Sequence, residues 1–194
     1  MKPDGSYHHG ALHEALLSSA ETILCRDGLA ALTLRAIARE AGVSHAAPAH
    51  HFKDLSALIS ELVAVGYERL TEQMRLAYGG QPTLRSVGKA YVAFAIDNAA
   101  LFQLMFRVER LNAGHDRLRA ARLRTFQVLR EVSGVERDDQ IGADQLGVMT
   151  AQWCLVHGFA DLAANGRIAP LLRLAPEGAG PGELLELAFK HLPQ

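Results

Sequence analysis

Between Thr33 and Lys53 the chain gathers side chains that donate hydrogen bonds or carry positive charge: Thr33, Arg35, Ser44, His45, His50, His51 and Lys53. Such groups can meet phosphate oxygens and the edges of bases. Six of the nine histidines fall in the first 55 residues, so much of the local charge there depends on pH. His9 and His13 stand four apart, as a two-histidine metal site would have them. No nearby cysteine or acidic triad completes a ligand set, and no metal is expected. Farther on, Trp153 and His157 share a helical face and Gly158 follows. They fit two readings: a packed tryptophan beside a satisfied histidine, or part of a pocket lining. There is no nucleophile elbow, no phosphate-binding glycine loop and no paired-cysteine motif. Neither catalysis nor a cofactor is expected.

The elements that would position these residues read as helices throughout. Leu12, Leu16, Ala20, Ile23 and Leu24 mark one face of a helix over about 11–26. Gly28 stands where a helix end favours a left-handed residue. Thr33 is a good N-cap for a short helix carrying Leu34, Ile37, Ala38 and Ala41, which Gly42 ends. Ser44 can cap a third helix two residues later, running to about Phe52, with Pro48 tightening its first turn. Two short helices around such a turn form a helix-turn-helix. A linking helix follows from Asp54 to Tyr78, and Gly79, Gly80 and Pro82 close it. Further helices are expected at about 84–98, 100–107, 116–134, 141–165 and 182–192, with 169–181 a loop. The expected fold is all-α, with about nine helices. It divides into a reader over residues 1–55 and a helical body over 56–194.

Composition narrows the class further. The chain has 194 residues, a formal net charge of −1 and an apolar share of 49%, as a globular protein should. Up to Leu55 there are five Lys and Arg against six acids, so a strongly basic nucleic-acid binder is excluded and any positive face must be local. Cys25 and Cys154 lie in apolar helical contexts and are expected as buried thiols in a reducing cytosol. No apolar run reaches the ~18 residues a membrane span needs. A cytoplasmic protein is expected.

The segment from Ala11 to Leu62 resembles the DNA-binding domain of TetR-type repressors. The residues that carry the resemblance are Thr33, Leu34, Arg35, Ile37, Ala38, Ala41, Gly42, Val43 and Ser44, then Phe52, Lys53, Leu55, Leu58 and Leu62. Tyr7-His8-His9-Gly10 and the later Trp153, His157 and Gly158 resemble the subgroup with a Trp-His-Gly effector domain. Two departures stand out. Ala49 occupies a position where the family usually has tyrosine, and neither Lys nor Arg lies near His13 and Glu14.

The resemblance implies a homodimer that binds a double-stranded operator and answers to a small-molecule effector. In a helix-turn-helix the second helix enters the major groove, which would put Ser44, His45, Ala46 and Ala47 at the base edges. Thr33, Arg35, His50, His51 and Lys53 would meet phosphates, with Tyr7 and His8 as an arm. Two alanines at the reading edge make readout sparse, so water and DNA shape would carry part of the specificity. Histidine titrates near pH ~6.5, so DNA affinity is expected to rise as pH falls from about 8 to 6. Phe94, Phe102, Met105, Phe106 and Phe126 are mostly core residues, some of which can line an effector cavity with Trp153 and His157. The run Arg117, Arg119, Arg122, Arg124 and Arg130 reads as a solvated face or, alternatively, as a site for an acidic effector. The resemblance also implies that helices 141–165 and 182–192 pair with their copies in the partner. Leu146, Met149, Leu155, Phe159, Leu162, Leu184, Leu185, Leu187 and Phe189 would supply core and interface between them. The alternative is a helical ligand-binding dimer whose DNA binding is weak or lost.

Overall fold

Leu16, Ala20, Ile23 and Leu24 are buried along one stripe of the first helix, α1 (Gly5–Asp27). The computed structural model describes residues 5–135 and 141–191, with side chains from residue 10 onward. α1 starts well before the expected Ala11, because Gly10 weakens a helix without ending it. Tyr7 and His8 therefore belong to the first turns of α1 rather than to an extended arm; their side chains lie outside the described residues.

α2 (Leu34–Glu40) begins at Thr33, whose hydroxyl accepts the Ala36 amide at 3.1 Å. It ends at Gly42, whose φ of +69° only glycine adopts without strain. The Val43 amide then reaches back to the Ala38 carbonyl at 3.0 Å, and that of Gly42 to Arg39 at 3.1 Å, closing a Schellman motif.

α3 (Leu55–Leu76) is capped by the Asp54 carboxylate, which accepts the Ala57 amide at 2.8 Å. Its buried residues, among them Leu58, Ile59, Leu62, Val63 and Tyr67, surround most of its circumference. That pattern belongs to a central helix packed on several sides. One continuous core runs from Leu16 of α1 through α3 to Leu185 near the C-terminus.

Around α3 stand α4 (Leu84–Asp97), α5 (Ala99–Met105) and α6 (Asp116–Val132). α7 (Ala143–Ala164), α8 (Ala169–Leu172) and α9 (Pro181–Lys190) complete the body. The described residues thus form nine α-helices and no strand. α8 corrects the expected loop over 169–181: Pro170 fits its first turn and buried Ile168 anchors it. Gly88 of α4 lets α9 approach closely, since a Cβ there would lie 2.8 Å from the Phe189 ring. Among the described residues no neighbour lies within 4 Å of where a Gly158 Cβ would be, so that glycine admits none of the described helices.

Both cysteines are exposed and free, which corrects the expectation of buried thiols. At ~100° per residue each lies roughly 120–140° around its helix from the buried stripe. Apolar neighbours in sequence did not place them on the inner face. No described helix is long and apolar enough to cross a membrane.

Candidate functional site

The segment after Gly42 is not the regular helix that its sequence suggests. Residues Ala47–His50 form a 3-10 turn, and Ser44 caps nothing. Pro48 is the cause. Its nitrogen has no proton to give the Ser44 carbonyl, which takes the Ala47 amide instead at 3.0 Å. Pro48 and Phe52 are buried, and the Phe52 amide donates to the Pro48 carbonyl at 2.8 Å, which pins the turn to the core.

On this scaffold Thr33, Arg35, Ser44, His45, Ala46, His50 and Lys53 are exposed, while Ala47 and His51 are half-buried. Arg35, Arg39 and Lys53 form no ion pair among the described residues, so their charge is available to a ligand. Arg26 is committed elsewhere. Its guanidinium bridges Asp27 at 2.9 Å and Glu40 at 3.0 Å, joining α1 to α2. Those bonds hold Arg26 above its ordinary pKa and both carboxyls below theirs.

Polar contacts join the reader to the body along α3. The His13 ring stacks on Phe52 with centroids 4.9 Å apart, and its Nε2 lies 3.8 Å from Glu61. On the opposite side His115 approaches the same carboxylate at 3.1 Å, and Arg117 bridges Glu61 and Glu68. Buried Ser60 accepts the Asn112 amide at 2.8 Å. At the other end Tyr78 donates to Glu131 at 2.6 Å; burial, with this carboxylate, pushes its phenol up to about 12. α6 is therefore fastened to α3 near both ends.

Between those fastenings lies a cavity of about 360 Å³, walled by α3, α4, α6 and α7 with the end of α5. Of the expected pocket residues, Met105, Phe106, Phe126 and Trp153 line it. Phe102 and His157 instead line a second, polar cavity of about 330 Å³, together with Arg107 and Arg167, and Phe106 borders both. Phe94 lines neither and is packed in the core at 1% exposure. The Tyr91 hydroxyl lies 2.9 Å from His157 Nδ1, so this histidine is satisfied from within the body. Desolvation lowers the His157 pKa and raises that of Tyr91. Trp153 and His157, with ring centroids 6.4 Å apart, thus face different cavities.

Tyr67, Tyr91, Thr125 and Gln152 also line the larger cavity and were not anticipated. Tyr67 and Tyr91 sit among buried apolar residues of α3 and α4, where periodicity marks core and cannot mark a void. Among the described residues no three His, Cys, Asp or Glu come together as metal ligands.

α7 and α9 sort the expected interface residues. Met149 and Leu185 are buried, and Phe159 and Phe189 pack on the core. Leu155 and Leu184 are half-buried, whereas Leu146, Leu162 and Leu187 are exposed at 57%, 42% and 42%. α7 and α9 thus leave three leucines uncovered by the rest of the chain's described residues.

A capped helix-turn-helix ahead of a cavity-bearing helical body is the architecture of a DNA-binding regulator. Residues 16–62 match the family model of bacterial regulatory proteins of the tetR family, and residues 84–179 that of the tetracyclin repressor-like C-terminal domain. The chain belongs to the TetR family of transcriptional regulators, with a DNA-binding helix-turn-helix and a C-terminal helical domain. No curated protein matches it. Among solved structures it is 33% identical to a protein of unknown function from Rhodococcus sp. RHA1, with a TM-score of 0.72 over 95% of both chains. It shares its fold with the TetR family transcriptional regulator PfmR from Thermus thermophilus, at 22% identity and a TM-score of 0.58. That likeness covers 75% of this chain and 82% of the other. A bacterial regulatory protein in the tetR family from Rhodococcus RHA1 is 18% identical, with a TM-score of 0.63 over 92% and 93% of the two chains.

Proposed function

We propose that this protein is a cytoplasmic homodimeric repressor, held on a palindromic operator until a small-molecule effector enters the body and releases it. The reader is residues 1–55 and the effector and dimerisation domain residues 56–194. Ser44, His45, Ala46 and Ala47 face base edges. Thr33, Arg35, His50, His51 and Lys53 meet phosphates, with Tyr7 and His8 beside them. The pattern of Trp153, His157 and Gly158 supports placing the chain in the Trp-His-Gly subgroup. The exposed leucines of α7 and α9 support the dimer, and Gly158, open among the described residues, leaves room for a partner helix.

The observation that carries the effector reading is the apolar cavity against α3, the helix that begins at the reader. Two readers must stand about one DNA turn apart, ~34–36 Å, to engage both half-sites. An effector that prefers a wider body moves α6, which grips α3 through Glu61 and Glu68, and so shifts the reader spacing. It can shift that equilibrium only by its difference in affinity for the two states. A Val65→Pro change interrupts α3 between cavity and reader and is expected to uncouple effector binding from release. Release that survived the change would place the route elsewhere.

The test is fluorescence anisotropy on the DNA upstream of this protein's own coding sequence, against a scrambled duplex, at two salt concentrations. Arg35 and Lys53 of both protomers give a log–log salt slope of roughly −4. Equal, weak binding to both duplexes would favour the second reading, a ligand-binding dimer with little hold on DNA. Ala49 and the few unpaired cations of the reader are the observations on that side.

A further inference from the structure

The wall of the larger cavity carries a single fully charged side chain, Arg122. Its neighbours on α6 are spoken for: Arg117 and Arg124 hold Glu68, and Arg119 holds Asp116. Arg122 has no acidic partner among the described residues and lies over the Tyr67 ring, 5.5 Å from its centroid. That ring is fixed, since the Tyr67 hydroxyl donates to the Met105 carbonyl at 3.3 Å. A cation at an apolar wall loses hydration and gains most from an anion brought to it.

The other polar groups point the same way. Thr125 is engaged with Thr71 at 2.7 Å, and Gln152 takes the Ser133 hydroxyl on its Oε1 at 2.6 Å. The Tyr67 hydroxyl gives its proton to Met105 and the Tyr91 hydroxyl is paired with His157, so the donors left for a ligand at that wall are the guanidinium and the Gln152 amide N–H₂. At ~30 Å³ for each water-sized unit, the volume suits about a dozen non-hydrogen atoms.

We infer that the effector is a compact monocarboxylic acid with an otherwise hydrocarbon body of this size, its carboxylate paired with Arg122. The inference rests on the effector reading above and names the chemistry of that same cavity.

Trp153, the chain's one tryptophan, lines the cavity and reports binding by its fluorescence. Three probes of nearly equal shape are titrated into the full chain: 4-phenylbutanoate, 4-phenylbutanamide and 4-phenylbutylamine. The carboxylate is expected to bind about tenfold more tightly than the amide, and the ammonium least of all. Arg122→Gln should abolish the preference for the acid, and Arg122→Lys should restore part of it. Because the amide titration is run on every variant, a general loss of folding is separated from a loss of acid recognition. Equal binding of acid and amide by the wild type, or a preference surviving in Arg122→Gln, would overturn the inference while leaving an effector cavity in place. Binding of none of the three would overturn both. Acid binding that leaves operator affinity unmoved would uphold the carboxylate site and overturn the release mechanism.

Discussion

The reader completes its core within one chain, whereas the C-terminal half of the body does not. No large apolar side chain is exposed among the described residues up to Lys53, while α7 alone leaves Leu146, Val148, Trp153 and Leu162 at 42–57% exposure. The reader meets DNA with polar and charged groups on a closed apolar base. The body keeps apolar surface open in two forms, a cavity of about 360 Å³ and exposed apolar side chains on α7 and α9. The two halves therefore present different surfaces: polar and charged side chains at the reader, open apolar surface and a largely apolar cavity in the body.

Changes that treat the two surfaces oppositely sharpen this contrast. Leu62, at 1% exposure on α3, belongs to the core shared by reader and body. Leu62→Ala should cost about 3 kcal/mol in denaturant unfolding. Leu187→Ala, at an exposed site, should change the unfolding of the isolated chain little. Equal costs would mean that α9 is core and not interface.

The double change Leu146→Glu and Leu162→Glu should give a monomer by sedimentation with unaltered helical circular dichroism. Operator affinity should drop about 100-fold as one half-site is lost. A dimer that persisted would move the interface off α7.

Thr33→Ala removes the cap of α2 and should lower stability by ~1 kcal/mol. Its effect on operator affinity should be larger than its effect on effector binding, since α2 lies in the reader.

The smallest expected effects are those of pH, and the two regions should respond in opposite senses. Burial holds His157 below its ordinary pKa, so the unfolded chain takes up that proton first. Stability is full above pH ~6.5 and declines as pH falls below it, levelling once the folded-state histidine also protonates. His157→Gln should flatten that part of a melting-temperature profile. Operator affinity should instead rise from about pH 8 to 6, since histidine contacts to phosphate in general strengthen with added protons. Affinity that stayed level would remove the histidines from the phosphate contacts.

Local chemistry makes much of the reader legible. Thr33 and Gly42 bound α2 because capping and a positive φ are short-range demands that particular residues satisfy. Pro48 is visible in the sequence too, but its consequence is larger than a tightened first turn: with one donor missing, the expected helix over 44–52 is replaced by turns and a 3-10 turn over Ala47–His50. In the body the helices are readable and the void between them is not. Apolar character marks Met105, Phe106, Phe126 and Trp153, yet it equally marks Phe94, which fills core, and Phe102, which lines only the second cavity. Apolar periodicity says that a residue faces inward, without saying whether a neighbour or a space meets it.

By itself the sequence determined most of the helices, the Thr33 cap and the family, because each rests on residues near one another in the chain or on a matching pattern; the 3-10 turn over Ala47–His50 and the short α8 were not among them. Tertiary structure alone decided three further matters. It exposed both cysteines, left Arg122 without an acid among the described residues while Arg117 and Arg124 took Glu68, and turned His157 toward Tyr91 and away from the larger cavity. Each depends on how one helix is rotated against another. That rotation is set by packing summed over many side chains, and no single stretch of sequence encodes it.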